Sequence, residues 1–357
     1  MSKEDGGIKN KLPKFGKKDE HKTEREKLDD RREQILAQGR KFKYPMQFAK
    51  HRLVIITIVI AVVALILSGV LGWYALYKSQ STSDILYRLT TVLPISVAKI
   101  DGENVRYSDY LLIYRSSVTP IEQQNGTLSI EGKDEETVKN AYKRVALDKA
   151  ENYTYAQKLA RQLDVNVTDS MIDESFDNHR KVGGADRNKE SFLKVLKDNF
   201  NLTEAEYRRM LYLSLVEVEV AKKIDTAATK KAESALEKLK QNGGDFKAVS
   251  EELGIEMEST GGLVDVMNID GGRASKAYEM TPGQISDIFV SLSGDAYYIV
   301  RLNDKSDAKV NYDSLKIPFT EFDNRLKNVR EENRIEEYIE IPTSDNEAEE
   351  LLDTSVE

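Results

Sequence analysis

The sequence predicts an α+β protein set behind a single membrane-spanning helix. Three observations carry that prediction. Residues 53–77, LVIITIVIAVVALILSGVLGWYALY, contain no charged side chain. Between Asp134 and Val218 apolar residues recur at helical spacing. Between Asp225 and Phe319 short helices alternate with strand-like runs and glycine turns.

The apolar run comes first in the argument because it fixes location. A helix of that length, at ~1.5 Å per residue, spans a ~30 Å hydrocarbon core with some tilt. Trp73, Tyr74 and Tyr77 cluster at its far end, as interfacial aromatics do. A cleaved signal peptide would have a shorter apolar region and a small-residue cleavage site, whereas YKSQSTSD follows here. An uncleaved anchor is therefore expected. Arg40, Lys41, Lys43, Lys50 and Arg52 crowd the N-terminal flank, and only Lys78 and Arg88 lie close on the other side. The excess of positive charge places residues 1–52 in the cytoplasm and residues 78–357 outside.

Charge and composition exclude several functions. Residues 1–52 carry sixteen lysines and arginines against nine acids, or +7, which leaves −15 of the total of −8 for the remainder. The main body has no basic face for nucleic acid, and none is expected as a partner. The leader reads as a disordered topogenic tail, with a short charged helix over Glu24–Gln38. The chain has no cysteine, which excludes disulfides, thiolate metal sites and a cysteine nucleophile. Only three histidines are present, so a multi-histidine metal site is not expected. No metal, nucleotide or other cofactor is expected.

Residues 78–93 read as a spacer. From Pro94, Val97 and Ile100 suit a strand, Asp101-Gly102 a tight turn, and Val105 and Tyr107 a return strand. Ser108 is placed to cap the helix that follows. Residues 119–133 read as a loop. A long helix starts at Asp134, and Thr168 caps the next one. HRKVGGADRN, from His179, reads as a flexible surface loop. Thr203 and Glu206 form a capping box, since each side chain can satisfy a free backbone N–H of the other residue. Residues 94–224 thus make a helical domain with a leading hairpin.

Residues 225–319 make a smaller α+β unit. A helix from Asp225 stops at Gly243-Gly244, and DFKAVSEELG forms another. A short helix around Ala274–Met280, the turn at Pro282-Gly283 and two strand-like stretches follow. VNYDSLKIPF, from Val310, is a further strand candidate. Phe322, Leu326, Val329, Ile335 and Tyr338 mark a C-terminal amphipathic helix over residues 320–340. This helix is expected to pack back on the helical domain. The acidic tail, 341–357, is expected to be disordered.

Two regions resemble the SurA/PrsA/PpiD-like foldases, exported chaperones that carry a parvulin domain. VAKIDGENVRYSDY resembles that family's opening strand-turn-helix. VALDKAENYTYAQKLARQLDVNVTDSMIDESF resembles its next helix pair. Further on, AESALEKLKQNGGDFKAVSEELG, GGLVDV, AYEMTPGQISDIF and GDAYYIVRL follow the order of parvulin segments. The resemblance implies a membrane-anchored chaperone with a parvulin-like peptidyl-prolyl isomerase domain. Two departures bear on activity. VEVEVAKKIDTAATKK stands where parvulins begin with a histidine-bearing strand, and Tyr298 stands where the family's second histidine is usual. A sheet lacking its first strand would expose unpaired backbone edges, and VNYDSLKIPF is expected to fill that space from the C-terminal side.

Tyr278, Met280, Phe289 and Tyr298 are the peptide-binding candidates of this unit. Core packing is the commoner role for such residues. Asp265 and Asp270 flank a glycine-rich stretch and read as solvated turn residues rather than cation ligands. The preferred function is an extracytoplasmic chaperone for unfolded or newly exported polypeptides, with the bilayer contacted through Leu53 to Tyr77. An active parvulin-type isomerase is the first alternative, and a non-catalytic envelope scaffold the second.

Overall fold

The computed structural model describes residues 23–43, 45–128, 133–181, 187–343 and 348. It divides into two compact units, Met1–Gly72 and Trp73–Glu357.

The first unit holds α1 (Glu24–Lys43) and nearly all of α2 (Pro45–Trp73). The leader is therefore helical well beyond the Glu24–Gln38 stretch expected from sequence. Its entry is fixed by Thr23, whose backbone N–H and hydroxyl both donate to Glu26 at 3.0 Å. Residues 1–22 lie outside the described residues. One stretch among the described residues, His51–Lys78, is long and apolar enough to cross a membrane, an 18-residue window within it having a mean hydropathy of 3.1. The two hydroxyls within its apolar part are satisfied inside the helix. Thr57 donates to the Leu53 carbonyl at 2.9 Å and Ser68 to the Ala64 carbonyl at 2.8 Å. That internal pairing is what a hydrocarbon environment requires.

The second unit begins with a π-helical turn, Tyr74–Lys78. Its carbonyl at Leu76 accepts the Tyr107 hydroxyl at 2.7 Å, and the Tyr77 hydroxyl donates to the Ser96 carbonyl at 2.7 Å. The expected spacer contains a helix, α3 (Asp84–Val92). The predicted hairpin is present as β1 (Ser96–Ile100) and β2 (Glu103–Arg106), paired antiparallel across the Asp101-Gly102 turn. Ser108 does not cap the next helix. That helix, α4 (Tyr107–Asn125), starts one residue earlier and buries Ser108 in its first turn. It also runs through Pro120 into the expected 119–133 loop.

Four helices complete this part: α5 (Glu135–Gln162), α6 (Asp169–Arg180), α7 (Lys189–Phe200) and α8 (Glu204–Ile224). Their starts follow the caps in the sequence. Thr168 accepts from the Met171 N–H, and Thr203 and Glu206 form the reciprocal capping box. His179 and Arg180 belong to the last turn of α6 and not to a loop. The loop's glycines, with the rest of 182–186, lie outside the described residues.

The smaller part is built on α9 (Thr226–Gln241) and α10 (Phe246–Leu253). Its strands are β3 (Glu256–Ser259), β4 (Val264–Asp265), β5 (Phe289–Val290), β6 (Ala296–Ser306) and β7 (Lys309–Pro318), with α11 (Arg273–Tyr278) between β4 and β5. The sheet order is β3-β7-β6-β5, and β4 also pairs with β7. VNYDSLKIPF is thus a central strand, held on one side by β3 and on the other by β6, with Leu302 opposite Tyr312. The alternation in β6 and β7 divides the core. Ile299, Leu315 and Ile317 join the main core with Ala235, Leu239 and Phe246 of the helices. Val300, Leu302, Val310 and Tyr312 join a second, smaller core with Ala274 and Ala277 of α11.

The C-terminal segment corrects the expected helix over 320–340. Helix α12 (Glu321–Glu331) ends early, and Ile335–Glu337 form β8. The break falls at Asn333, whose φ of 52° lies in the left-handed region that asparagine tolerates better than most residues. β8 pairs antiparallel with β1, Ile335 opposite Ile100, and closes the three-stranded sheet β2-β1-β8. The chain therefore returns from the sheet-bearing part to complete the helical part. Most of the acidic tail lies outside the described residues.

Candidate peptide-binding cleft

The four residues singled out from sequence come together on the α11 side of the sheet. Tyr298 and Met280 are buried there, at 4% and 3% exposure, while Tyr278 and Phe289 are half-buried against the same small core. Phe289 pairs with Tyr298 across β5 and β6, ring centroids 6.0 Å apart. Lys305 Nζ donates to the carbonyls of Tyr278, at 3.1 Å, and Met280, at 2.7 Å.

Tyr298, at the position where the family resemblance expects a histidine, is covered by Arg273. That guanidinium lies 4.8 Å from the ring centroid, within cation–π range. Arg273 also pairs with Glu258, donates to Ser314 Oγ at 3.1 Å and donates to the Asp270 carbonyl at 2.8 Å. Asp270 is buried, contrary to its reading as a solvated turn residue. Its carboxylate accepts the Tyr312 hydroxyl at 2.5 Å, the Gly272 N–H at 3.1 Å and the Ala274 N–H at 3.0 Å. Burial and this carboxylate push the Tyr312 phenol well above its ordinary range, and burial raises Tyr298 too. Both phenols stay protonated at physiological pH. Tyr298 acts as a packing group, and Tyr312 as a packing group and hydrogen-bond donor, rather than as acids or bases.

The open site lies on the other side of β5. A cleft of about 420 Å³ separates α6 and α8 from the turn after β5. Met171, Leu211, Leu215 and Val218 supply the helical wall, and Val290 and Leu292 the opposite wall. Glu174, His179, Glu219 and Lys222 stand at its polar edges. Successive residues of β5 serve opposite faces: Phe289 enters the small core, and Val290 lines the cleft. This is the period-two alternation of a strand. His179 lines the cleft from the end of α6, with Nδ1–H donating to the Ser175 carbonyl at 2.7 Å and the ring edge-on to Tyr207.

Two contacts set the width of the cleft. Gly294, at φ 77°, packs so closely on Val218 that a β-carbon there would overlap the valine side chain. The Leu292 N–H donates to the Gly271 carbonyl at 3.0 Å, which ties the wall to the loop before α11. That loop exposes apolar side chains. Ile269 is fully exposed and Met267 nearly half, and Leu292 of the facing wall is exposed to the same degree as Met267. Two apolar walls with polar edges suit an extended polypeptide of mixed sequence. Reasoning from the sequence missed the cleft because its walls come from segments far apart in the chain, α6 and α8 on one side and Val290–Leu292 on the other. The one local signal was the apolar pair Val290 and Leu292 beside a glycine turn.

Comparison with known families bears on the helical part. Residues 46–220 match the family described as SurA-like N-terminal domain. The matched stretch covers just under half of the chain, from the start of α2 to the end of α8. It supports kinship with the SurA/PpiD family and, with it, a chaperone-type protein of the cell envelope. No curated protein matches the chain.

Proposed function

We propose that the chain is a membrane-anchored extracytoplasmic chaperone that holds unfolded or newly exported polypeptides in the cleft between α6/α8 and the β5 turn. His51–Lys78 anchors it, with the basic leader in the cytoplasm and the remainder on the outer face of a bacterial cytoplasmic membrane. The observation that carries the reading is the cleft itself, apolar on both walls, open to solvent and edged by the partly exposed Leu292. Affinity for any one segment is modest, because binding rests on non-directional apolar burial, and anchoring compensates by raising the local concentration near emerging chains.

The sheet-bearing part is read as a divergent parvulin-like domain. Support comes from β7, which pairs antiparallel beside Tyr298–Leu302, as a strand standing in for the absent first strand would. Its α11 face is filled by Arg273, Tyr298 and Met280, and this argues for a domain that packs and positions rather than isomerises. The test uses the full chain in lipid nanodiscs with a denatured client whose refolding is limited by proline isomerisation. Suppressed aggregation with an unchanged slow phase supports the reading. A slow phase accelerated by catalytic amounts would make the protein an active isomerase. A tight stoichiometric partner without any effect on aggregation would make it a scaffold.

A further inference from the structure

Helix α3 follows the candidate membrane span after five residues and has three distinct faces. One face enters the core: Tyr87 and Thr90 are buried and Leu86 packs against the same cluster. A second is polar and exposed, with Asp84, Arg88 and Thr91. The third is apolar and exposed. Ile85 and Val92 are 78% and 81% exposed, Leu89 and Leu93 about half as much, at 40% and 44%. Residues 85, 89 and 92 are spaced to form one stripe along a helix. Nothing in the described chain covers that stripe, and an uncovered apolar stripe beside a basic residue marks a contact surface.

The surroundings identify the occupant. The last turn of the span is fastened to the folded body through Leu76, Tyr77 and their bonds to Tyr107 and Ser96. Trp73, Tyr77 and Lys78 line a shared hollow with Tyr338 of the C-terminal segment, so residues suited to the interface continue from the span onto the body. We infer that α3 lies in the bilayer interface, its Ile85–Leu89–Val92–Leu93 stripe in the acyl boundary and Arg88 among the headgroups. Such a helix is a short amphipathic element lying in the plane of the membrane. It would restrain the body against the membrane instead of leaving it on a free tether. The inference rests on His51–Lys78 being a membrane span.

The absence of native cysteine allows a direct test. Full-length single-cysteine variants Ile85→Cys, Leu89→Cys, Val92→Cys, Thr91→Cys and Leu65→Cys carry an environment-sensitive fluorophore in vesicles of phosphatidylcholine with a minor share of phosphatidylglycerol. All five positions are exposed, so labelling leaves the core intact. Quenching by brominated lipid is compared with quenching by aqueous iodide. The expected ratio of lipid to aqueous quenching is several-fold higher at 85, 89 and 92 than at 91, with Leu65 the most lipid-exposed. Lipid quenching at Leu65 with iodide quenching at the stripe would overturn the proposal and leave the anchor standing. Protection of the stripe from both quenchers would mean a protein partner covers it and would equally overturn the proposal. No lipid quenching at Leu65 would overturn the anchor and the proposal together.

Discussion

Tyr312 on β7 donates its hydroxyl to the carboxylate of Asp270 at 2.5 Å, across 42 residues of sequence. The bond joins the central strand to the loop whose Gly271 carbonyl holds Leu292 of the cleft wall. Asp270 also accepts from the N–H groups of Gly272 and Ala274, so it caps the entry to α11. Tyr312→Phe removes one donor from a buried carboxylate. The expected cost is about 1–3 kcal/mol in denaturant unfolding of the detergent-solubilised chain. Asp270→Ala, which strips these three bonds and a longer one from the Asn268 amide, costs more.

Gly294 and Val218 hold the two walls of the cleft in contact. Gly294→Ala introduces a β-carbon at a φ of 77° and against Val218. Strain of this kind costs about 1–3 kcal/mol. The turn after β5 is expected to move off α8, changing client affinity together with stability. The double variant Gly294→Ala/Val218→Ala relieves the overlap but not the φ strain. Its stability should lie between the single variant and wild type, measured by the same unfolding assay.

The pH dependence of stability is expected to follow Glu151. This side chain is buried on α5, and one carboxyl oxygen has no hydrogen-bond partner. Burial first, then the negative charges of Glu337 and Asp148, raises its pKa to about 8, against the opposing pull of Arg144 and Arg330. The folded state therefore binds a proton that the unfolded state has released between about pH 4.5 and 8. Stability from this group is full below the lower value and falls as pH rises to the upper one, by at most ~1.4 kcal/mol per unit. Glu151→Gln should flatten that slope. An unchanged slope would place the titration elsewhere.

Sequence reasoning reached most of the fold where the signal was local. The capping box at Thr203, the Asp101-Gly102 hairpin and the strand from Val310 each depend on near neighbours, and each is present. It failed where partners are distant. α3 read as spacer because its apolar residues split between two faces, leaving no single core stripe. β8 read as helix because Ile335 and Tyr338 continue the spacing of α12. Asn333 was the one available stop signal. Asp270 looked solvated because its partner Tyr312 lies far along the chain. The cleft was invisible for the same reason, although the two parts that form it were both legible.

The central claim is that unfolded chains occupy the cleft. The most direct measurement places a photo-crosslinking residue at Leu215 or Leu292 in the full chain and adds a labelled unfolded client. Val195, apolar and exposed on α7 outside the cleft, serves as control. The account predicts crosslinks from 215 and 292 that excess unlabelled client competes away, and few from 195. Aggregation suppression that persists without crosslinks from either cleft position, or with equal crosslinking from 195, would contradict it.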